Sequence, residues 1–468
     1  MPIHRRIDNW YDKLLSIPPS QEDSEQNEGA ALNRLPTGIA VAWYGDDFTG
    51  AAAVMEVLAF AGVKAMLFFE PPTQQLLAAY PDLQAVGVAS TARARSPDWM
   101  RRHLPAAFRA LADLAPQLLH YKICSTLDSA PDVGSIGCAI EIGADLAGVK
   151  TVPVLVAAPQ MGRIQIAGEL FAEFKGEMYR LDQHPVMSCH PVTPMTEPRP
   201  ARHIALQSRR IAPQDGADIT LISIDCSTDN EERAVGEAIW QDRAEAPFVV
   251  GSQGVEYALV RHWIAAGLLE PCPLPAGIGR AKGMVTVSGS VSPVTAEQIA
   301  WSRVNGFATI RFNALAACQD DAQLQTEIEQ MVEAALAALR DGKDPLIYTA
   351  EGPKDPAVKS LTEQARLAGL GMEVVNRRLG DALGRVLDAI LRRSDVTRAI
   401  VSGGDTSGYA MARLGVFALS ALAPTIPGAA LFRAHADGPR DGLELALKGG
   451  QMGSPDYFGW IRDGGGQR

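Results

Sequence analysis

Two adjacent carboxylates are the first residues in this chain that could do chemistry. In "AWYGDDFTGAAAVMEVL" (42–58), Asp46 and Asp47 follow a short apolar run, and Thr49-Gly50 begins a helix-like stretch. Carboxylates at the carboxyl end of a strand suit a proton acceptor or a Mg2+ ligand. The plainer alternative is that one of them caps the helix. Strand alternation would turn the two to opposite sides, with Asp47 beside the positive helix end that keeps a carboxylate ionised; Asp47 is therefore slightly preferred as the base, and the alternative, Asp46, stays open. Basic residues recur at further strand ends: Arg93 and Arg95 in "ASTARARSP", Lys122 in "YKICST" and Arg163 in "PQMGR". In a chain of net charge −11, such a gathering points to an anionic small ligand, with arginine as the bidentate partner of a carboxylate. For any single arginine, a solvated surface position is the alternative.

The second half carries a different signal. "VSGGDTSGYA" (401–410) places Gly403, Gly404, Asp405 and Thr406 between an apolar run and a helix-like stretch. Backbone N–H groups at a strand–glycine–helix junction form a seat for an anion, usually a phosphate. "TVSGSVSPVTAEQI" (286–299), with Ser288, repeats the pattern, and "LALKGGQMG" (445–453) adds Lys448, Gly449 and Gly450. Three such turns fit a nucleotide wrapped by backbone amides. The Gly403–Thr406 turn is not a Walker A loop, since Tyr409 stands where the lysine is required, and G-x-G-x-x-G follows no expected strand. A nicotinamide dehydrogenase is therefore disfavoured.

The elements that must hold these turns alternate along the chain. Strands are expected at 39–44, 64–69, 85–89, 120–123, 152–157 and 219–225, with helices between several of them, such as 51–61 closed by Gly62. After the Pro/Gly-rich 271–283 the series restarts, with strands at 284–287, 307–312, 346–349, 372–375 and 399–401 and a helix at 322–340. This is an α/β pattern: two domains with largely parallel sheets and a ligand cleft between them. The expected organisation is a polar tail over 1–36, a first domain over 37–270, a linker over 271–283 and a second domain over 284–468.

Composition narrows the partners. With 47% hydrophobic and 21% charged residues the chain is an ordinary globular protein, and its acidity argues against nucleic acid and anionic membrane surfaces. No apolar run reaches membrane-spanning length, and the N-terminal stretch lacks a signal-like apolar core. The six cysteines are widely spaced without a C-x-x-C pair, which suits a reducing cytoplasm, and the eight histidines form no H-E-x-x-H. A transition-metal site is not expected.

The motifs "GDDFTGA", "YKICST", "PQMGR", "PVTPMTE", "VGSQGVEYAL", "VSGSVSPVTAEQI", "SGGDTSG" and "KGGQMG" occur in an order that resembles the four-carbon acid sugar kinase family, across roughly 37–460. The resemblance implies an N-terminal sugar-acid domain, a C-terminal nucleotide domain, and ATP with Mg2+ as cofactors for phosphorylating a small acid sugar; it leaves room for a homo-oligomer. Carried over, Asp46 or Asp47 would be the base, and Arg93 would meet the substrate carboxylate. Lys122, Ser125, Thr126 and Arg163 would line the acid, while Ser288, Gly403–Thr406, Gly428 and Lys448–Gly450 would surround ATP. One stretch departs from the family pattern Lys-x-Asp-Ser-Thr-Leu-Arg-Gly: here Cys124 replaces the acid and Asp128 the arginine. That puts plain threonate specificity in doubt and points toward the members that act on a branched oxo acid. A non-catalytic sensor with the same pockets is the rival reading, disfavoured by the pair of aspartates.

Overall fold

The structure is a computed structural model describing residues 34–190, 192–212 and 218–468; most of the tail expected over 1–36 lies outside the described residues. The chain divides into two units at Pro273/Leu274.

In the first unit, β1 (Val41–Gly45), β2 (Ala65–Phe68), β3 (Ala85–Ala89), β4 (Leu118–Lys122) and β5 (Thr151–Leu155) are almost entirely buried. Helices cover both faces, so these strands read as continuous apolar runs instead of alternating ones. With β9 (Ile211–Ala212), β10 (Ile219–Ser223) and β11 (Phe248–Gly251) they form a parallel sheet in the order β2-β3-β1-β4-β11-β5-β10-β9. A separate antiparallel sheet, β6 (Arg163–Ile166), β7 (Glu169–Phe174) and β8 (Glu177–Arg180), grows from the loop after β5.

The order has a functional consequence. From β1 the chain runs outward to β2 and back to β3, then crosses to β4 on the other side. Connections leaving β1 and β4 therefore diverge, opening a crevice at their carboxyl ends. Asp46 and Asp47 follow β1, and Lys122 ends β4. α1 (Phe48–Phe60) starts directly after Asp47, whose carboxylate caps it by accepting from Gly50 N at 2.9 Å.

The second unit repeats this plan. β12 (Met284–Ser288), β13 (Phe307–Arg311), β14 (Asp344–Tyr348), β15 (Arg398–Ser402) and β18 (Glu444–Lys448) are parallel in the order β13-β14-β12-β15-β18, followed by antiparallel β17 (Leu431–Ala436) and β16 (Val416–Ala423). The switch point now lies between β12 and β15, where the chain enters α2 (Pro293–Val304) and α3 (Gly404–Leu414). One expected strand is corrected. Residues 372–375 open a 21-residue helix, α4 (Met372–Arg392), whose buried Val375, Leu379, Leu383, Val386, Leu387 and Ile390 keep a helical period the short apolar run concealed.

Candidate functional site

In the first unit, both aspartates converge on one guanidinium. Arg93 Nε donates to Asp46 Oδ2 at 3.1 Å, and Arg93 Nη2 donates to Asp46 Oδ1 and to Asp47 Oδ1, both at 2.7 Å. The expected opposite orientation of the two carboxylates does not occur, because the strand ends at Gly45 and the chain turns into the helix. Arg93 Nη1 has no partner among the described residues. Burial pushes the Asp46 carboxyl up against the opposing pull of Arg93, while Asp47 falls below the ordinary carboxylate value. Burial also works against Asp47, but Arg93, Lys122, the Thr49 hydroxyl at 2.6 Å and Gly50 N together outweigh it. The side chain of Asp47 is 24% exposed, that of Asp46 only 3%.

Lys122 is buried beside this pair and donates from Nζ to Ile123 O at 2.6 Å. A Cβ on Gly50 would lie 2.5 Å from Asp47 Oδ1 and 2.8 Å from Lys122 Nζ, so only glycine lets both charged groups close on the helix start. Arg95 stands apart, packed over the Trp99 ring and bonded to Thr91. Arg163 is half-buried: Nη1 donates to the carbonyls of Met161 and Gly162 at 3.1 Å, bracing the loop after β5, while its buried Nε has no partner among the described residues. Burial draws its pKa down, with Cys124 and Glu173 opposing. Against its burial, Asp46 and Asp47 and after them Cys124 raise the pKa of Arg93, and Cys124 acts in the same direction on Arg163, so residue 124 lies in the electrostatic surroundings of both guanidiniums.

Thr126 Oγ1 meets Cys124 Sγ at 3.1 Å, and Ser125 is half-buried beside it. Asp128 turns elsewhere. Its Oδ1 accepts from the Thr193 hydroxyl and lies 3.8 Å from His190 Nδ1, so it ties the loop to the "PVTPMTE" segment.

In the second unit the three glycine turns meet. Gly289 N donates to Ser402 O at 3.1 Å and Gly403 N to Lys448 O at 2.9 Å, joining the ends of β12, β15 and β18. Gly403 has φ +122°, a conformation other residues rarely adopt, and a Cβ on Gly289 would sit 2.3 Å from Thr406 Oγ1. Gly404 is exposed, and a Cβ at this position would have nothing within 4 Å: the N–H end of the helix faces open space. Asp405 lies in the first turn of α3. Gly450 is packed against Ser290, and its carbonyl accepts from the Thr295 hydroxyl at 3.0 Å. Gly428 (φ +81°) lies just before β17, which runs antiparallel to β18, so it stands beside the Lys448–Gly449 end.

Register pairing aligns Arg311, Tyr348, Ser288, Ser402 and Lys448 across five parallel strands on one face. Ser288 and Ser402 hydroxyls in this row are buried without partners among the described residues. Lys448 is 1% exposed, and burial pulls its pKa down to about 7.

Comparison with known proteins agrees with this division. A model described as "Sugar-binding N-terminal domain" matches residues 41–259, and one described as "Nucleotide-binding C-terminal domain" matches 285–458. The chain is 41% identical over 462 residues to a 3-oxo-isoapionate kinase of Paraburkholderia graminis, covering 95% of this chain and 98% of that protein. The chain belongs to the four-carbon acid sugar kinase family. A 3-oxo-tetronate kinase of Cupriavidus necator is 30% identical over 449 residues, covering 88% of this chain and 94% of the relative. A crystal structure of a Haemophilus influenzae protein shares the fold, with a TM-score of 0.68 and 21% identity, covering 90% of this chain and 99% of that one.

Several residues of this acid sugar kinase escaped the sequence reading. Thr295 and Gln298 on α2 reach the third turn, Gln298 donating to Met452 O at 2.9 Å and Ser454 O at 3.1 Å. Their only local signal is polar residues three apart on one helix face. Thr49 and Gly50 are visible in the sequence as a helix opening but not as the frame that holds Asp47.

Proposed function

We propose that this acid sugar kinase transfers the γ-phosphoryl group of ATP to a hydroxyl of a small oxo or branched acid sugar, 3-oxo-isoapionate or a compound built like it. The observation that carries the proposal is Arg93: it grips both aspartates through Nε and Nη2 and keeps Nη1 for a ligand. An acid sugar whose carboxylate meets Nη1 brings a hydroxyl toward Asp47, the more exposed aspartate. Asp47 accepts the hydroxyl proton as the oxygen attacks the γ-phosphorus and ADP leaves. Asp46 orients Arg93, and Lys122 offsets the charge gathered there. The work is positioning and neutralisation, which is what phosphoryl transfer asks of a protein. The glycine turns of the second unit supply N–H donors for the phosphates.

Among the described residues no group of three or more His, Cys, Asp or Glu could hold a metal ion. Mg2+ ordinarily keeps waters and takes one or two carboxylates together with substrate phosphates, so the ion would enter with the nucleotide, where it would neutralise phosphate charge. No described helix is long and apolar enough to cross a membrane. All six cysteines are free, which suits a reducing compartment. Kinase relatives speak against the sensor and dehydrogenase readings. The test is ADP release across a panel of C4 and C5 acid sugars, plain, oxo and branched. The proposal expects an oxo or branched acid to lead; no acid-dependent ADP release would refute it.

A further inference from the structure

Among the described side chains, no carboxylate meets Lys448. Its Nζ donates to Gly449 O at 3.1 Å and Thr295 Oγ1 at 3.3 Å, reaches Gly450 O at 3.5 Å, and lies 5.8 Å from the Phe458 ring centre. The elements around it offer no carboxylate partner among the described side chains. On α2, Thr295 and Gln298 face inward while Glu297 is exposed. On β15 and β18 the charged groups are Arg398 and Glu444, paired with each other at 2.6 Å, four residues back along both strands. On β17, Arg433 pairs in register with Glu444. On the C-terminal helix (Tyr457–Arg462), Arg462 turns to Asn305 and Asp344, and the preceding Asp456 turns to Ser454 and Arg468. On α3, Arg413 lies at the far end. Buried hydroxyls of Ser288 and Ser402 share the same register row.

We propose that Lys448 takes up a proton when a nucleotide's phosphates reach the glycine turns, so that nucleotide binding in the second unit is coupled to pH. The coupling rests on the nucleotide-binding reading above and adds a property to it. A lysine enclosed by carbonyls and hydroxyls, with no acid among the described side chains, bears the desolvation of its charge uncompensated. An arriving polyphosphate supplies the missing anion. The direction agrees with the depressed value of about 7 in the empty protein. An anionic charge about 6 Å away raises an ammonium pKa by roughly two units at an effective dielectric of ~20.

The test is calorimetric titration with MgADP at pH 8.0 in Tris and in HEPES, whose ionisation heats differ. Phosphate last ionises near pH 6, so the nucleotide contributes little. The expected uptake is about 0.8 proton per site, from a pKa moving from about 7 to ~9. The dissociation constant should weaken roughly 25-fold between pH 7 and pH 9. Lys448→Arg, permanently charged, should bind with little uptake. His435→Gln, removing the titratable ring on β17 outside the turns, should retain the uptake. Binding with buffer-independent heat and a flat pH profile would overturn the coupling and leave the kinase reading intact. Uptake lost in His435→Gln and kept in Lys448→Arg would assign the proton elsewhere. No MgADP binding at all would overturn the nucleotide reading and the coupling with it.

Discussion

Gly50→Ala separates the chemistry of the first unit from its stability. Gly50 is the third residue of α1, where alanine is ordinarily better than glycine by about 0.5–1 kcal/mol. Here the new methyl would sit 2.5 Å from Asp47 Oδ1 and 2.8 Å from Lys122 Nζ, against an ordinary contact of 3.4–4 Å. Both atoms end flexible side chains, so they can retreat by about 1 Å without moving backbone. The retreat strains the 2.9 Å bond from Gly50 N and the 2.7 Å bond from Arg93. Hydrogen bonds to a charged group are each worth about 1.5–3 kcal/mol. Losing one, less the helix gain, gives a net destabilisation on the order of 1–2 kcal/mol, a few degrees of melting temperature in a domain of this size. Catalysis is less forgiving: a 1 Å misplacement costs about 10²-fold. Thermal melts and steady-state kinetics on the same sample check both. A variant that melts near the wild-type temperature and keeps its kcat/KM would show that Asp47 and Lys122 do not frame the reacting centre.

Asp47→Asn should lower kcat at least ~10²-fold with the KM for ATP nearly unchanged, whereas Asp46→Asn should act mainly on the KM for the acid by loosening Arg93; exchanged phenotypes would exchange the roles. Because Asp47 lies below the ordinary carboxylate value, kcat/KM for the acid at saturating MgATP should hold level down the acid side and fall only below pH ~3.9; an acid limb above that, with MgATP still saturating, points to Asp46, whose carboxyl is pushed up. Gly404→Val places its side chain in open space, so the fold should be kept while nucleotide affinity falls at least ~10-fold by blocking the turn's N–H groups; calorimetry showing acid affinity lost and nucleotide affinity kept would reverse the division of labour. Cys124→Asp adds a negative charge to the electrostatic surroundings of Arg93 and Arg163, and the KM for the acid should rise about tenfold with the KM for ATP unmoved; an unchanged acid KM would remove Cys124 from the substrate's surroundings.

The turns were legible because their signals are local. A glycine pair or an aspartate pair at the end of an apolar run needs no tertiary knowledge, and the α/β alternation around them is a pattern of a few residues. The short strand β11 was missed because "FVVG" is too brief to stand out, and β16, rich in alanine, carries little strand signal. The convergence of Asp46 and Asp47 on Arg93 joins residues 46 positions apart or more, and no spacing rule encodes it. That Lys448 meets no carboxylate among the described side chains depends on what α2 and β15 do not place beside it. Asp128 shows the same limit. Its replacement of a basic residue suggested a change in the substrate pocket, but the side chain is engaged by Thr193 and His190.

The central claim is transfer to the acid. It is tested most directly by following the 31P spectrum of MgATP mixed with the enzyme and the best acid from the panel. The account expects a new phosphomonoester resonance growing one-for-one with ADP as the γ-phosphate signal falls, and its loss in Asp47→Asn. ATP decaying to ADP and inorganic phosphate alone, or no decay with any acid, would contradict it.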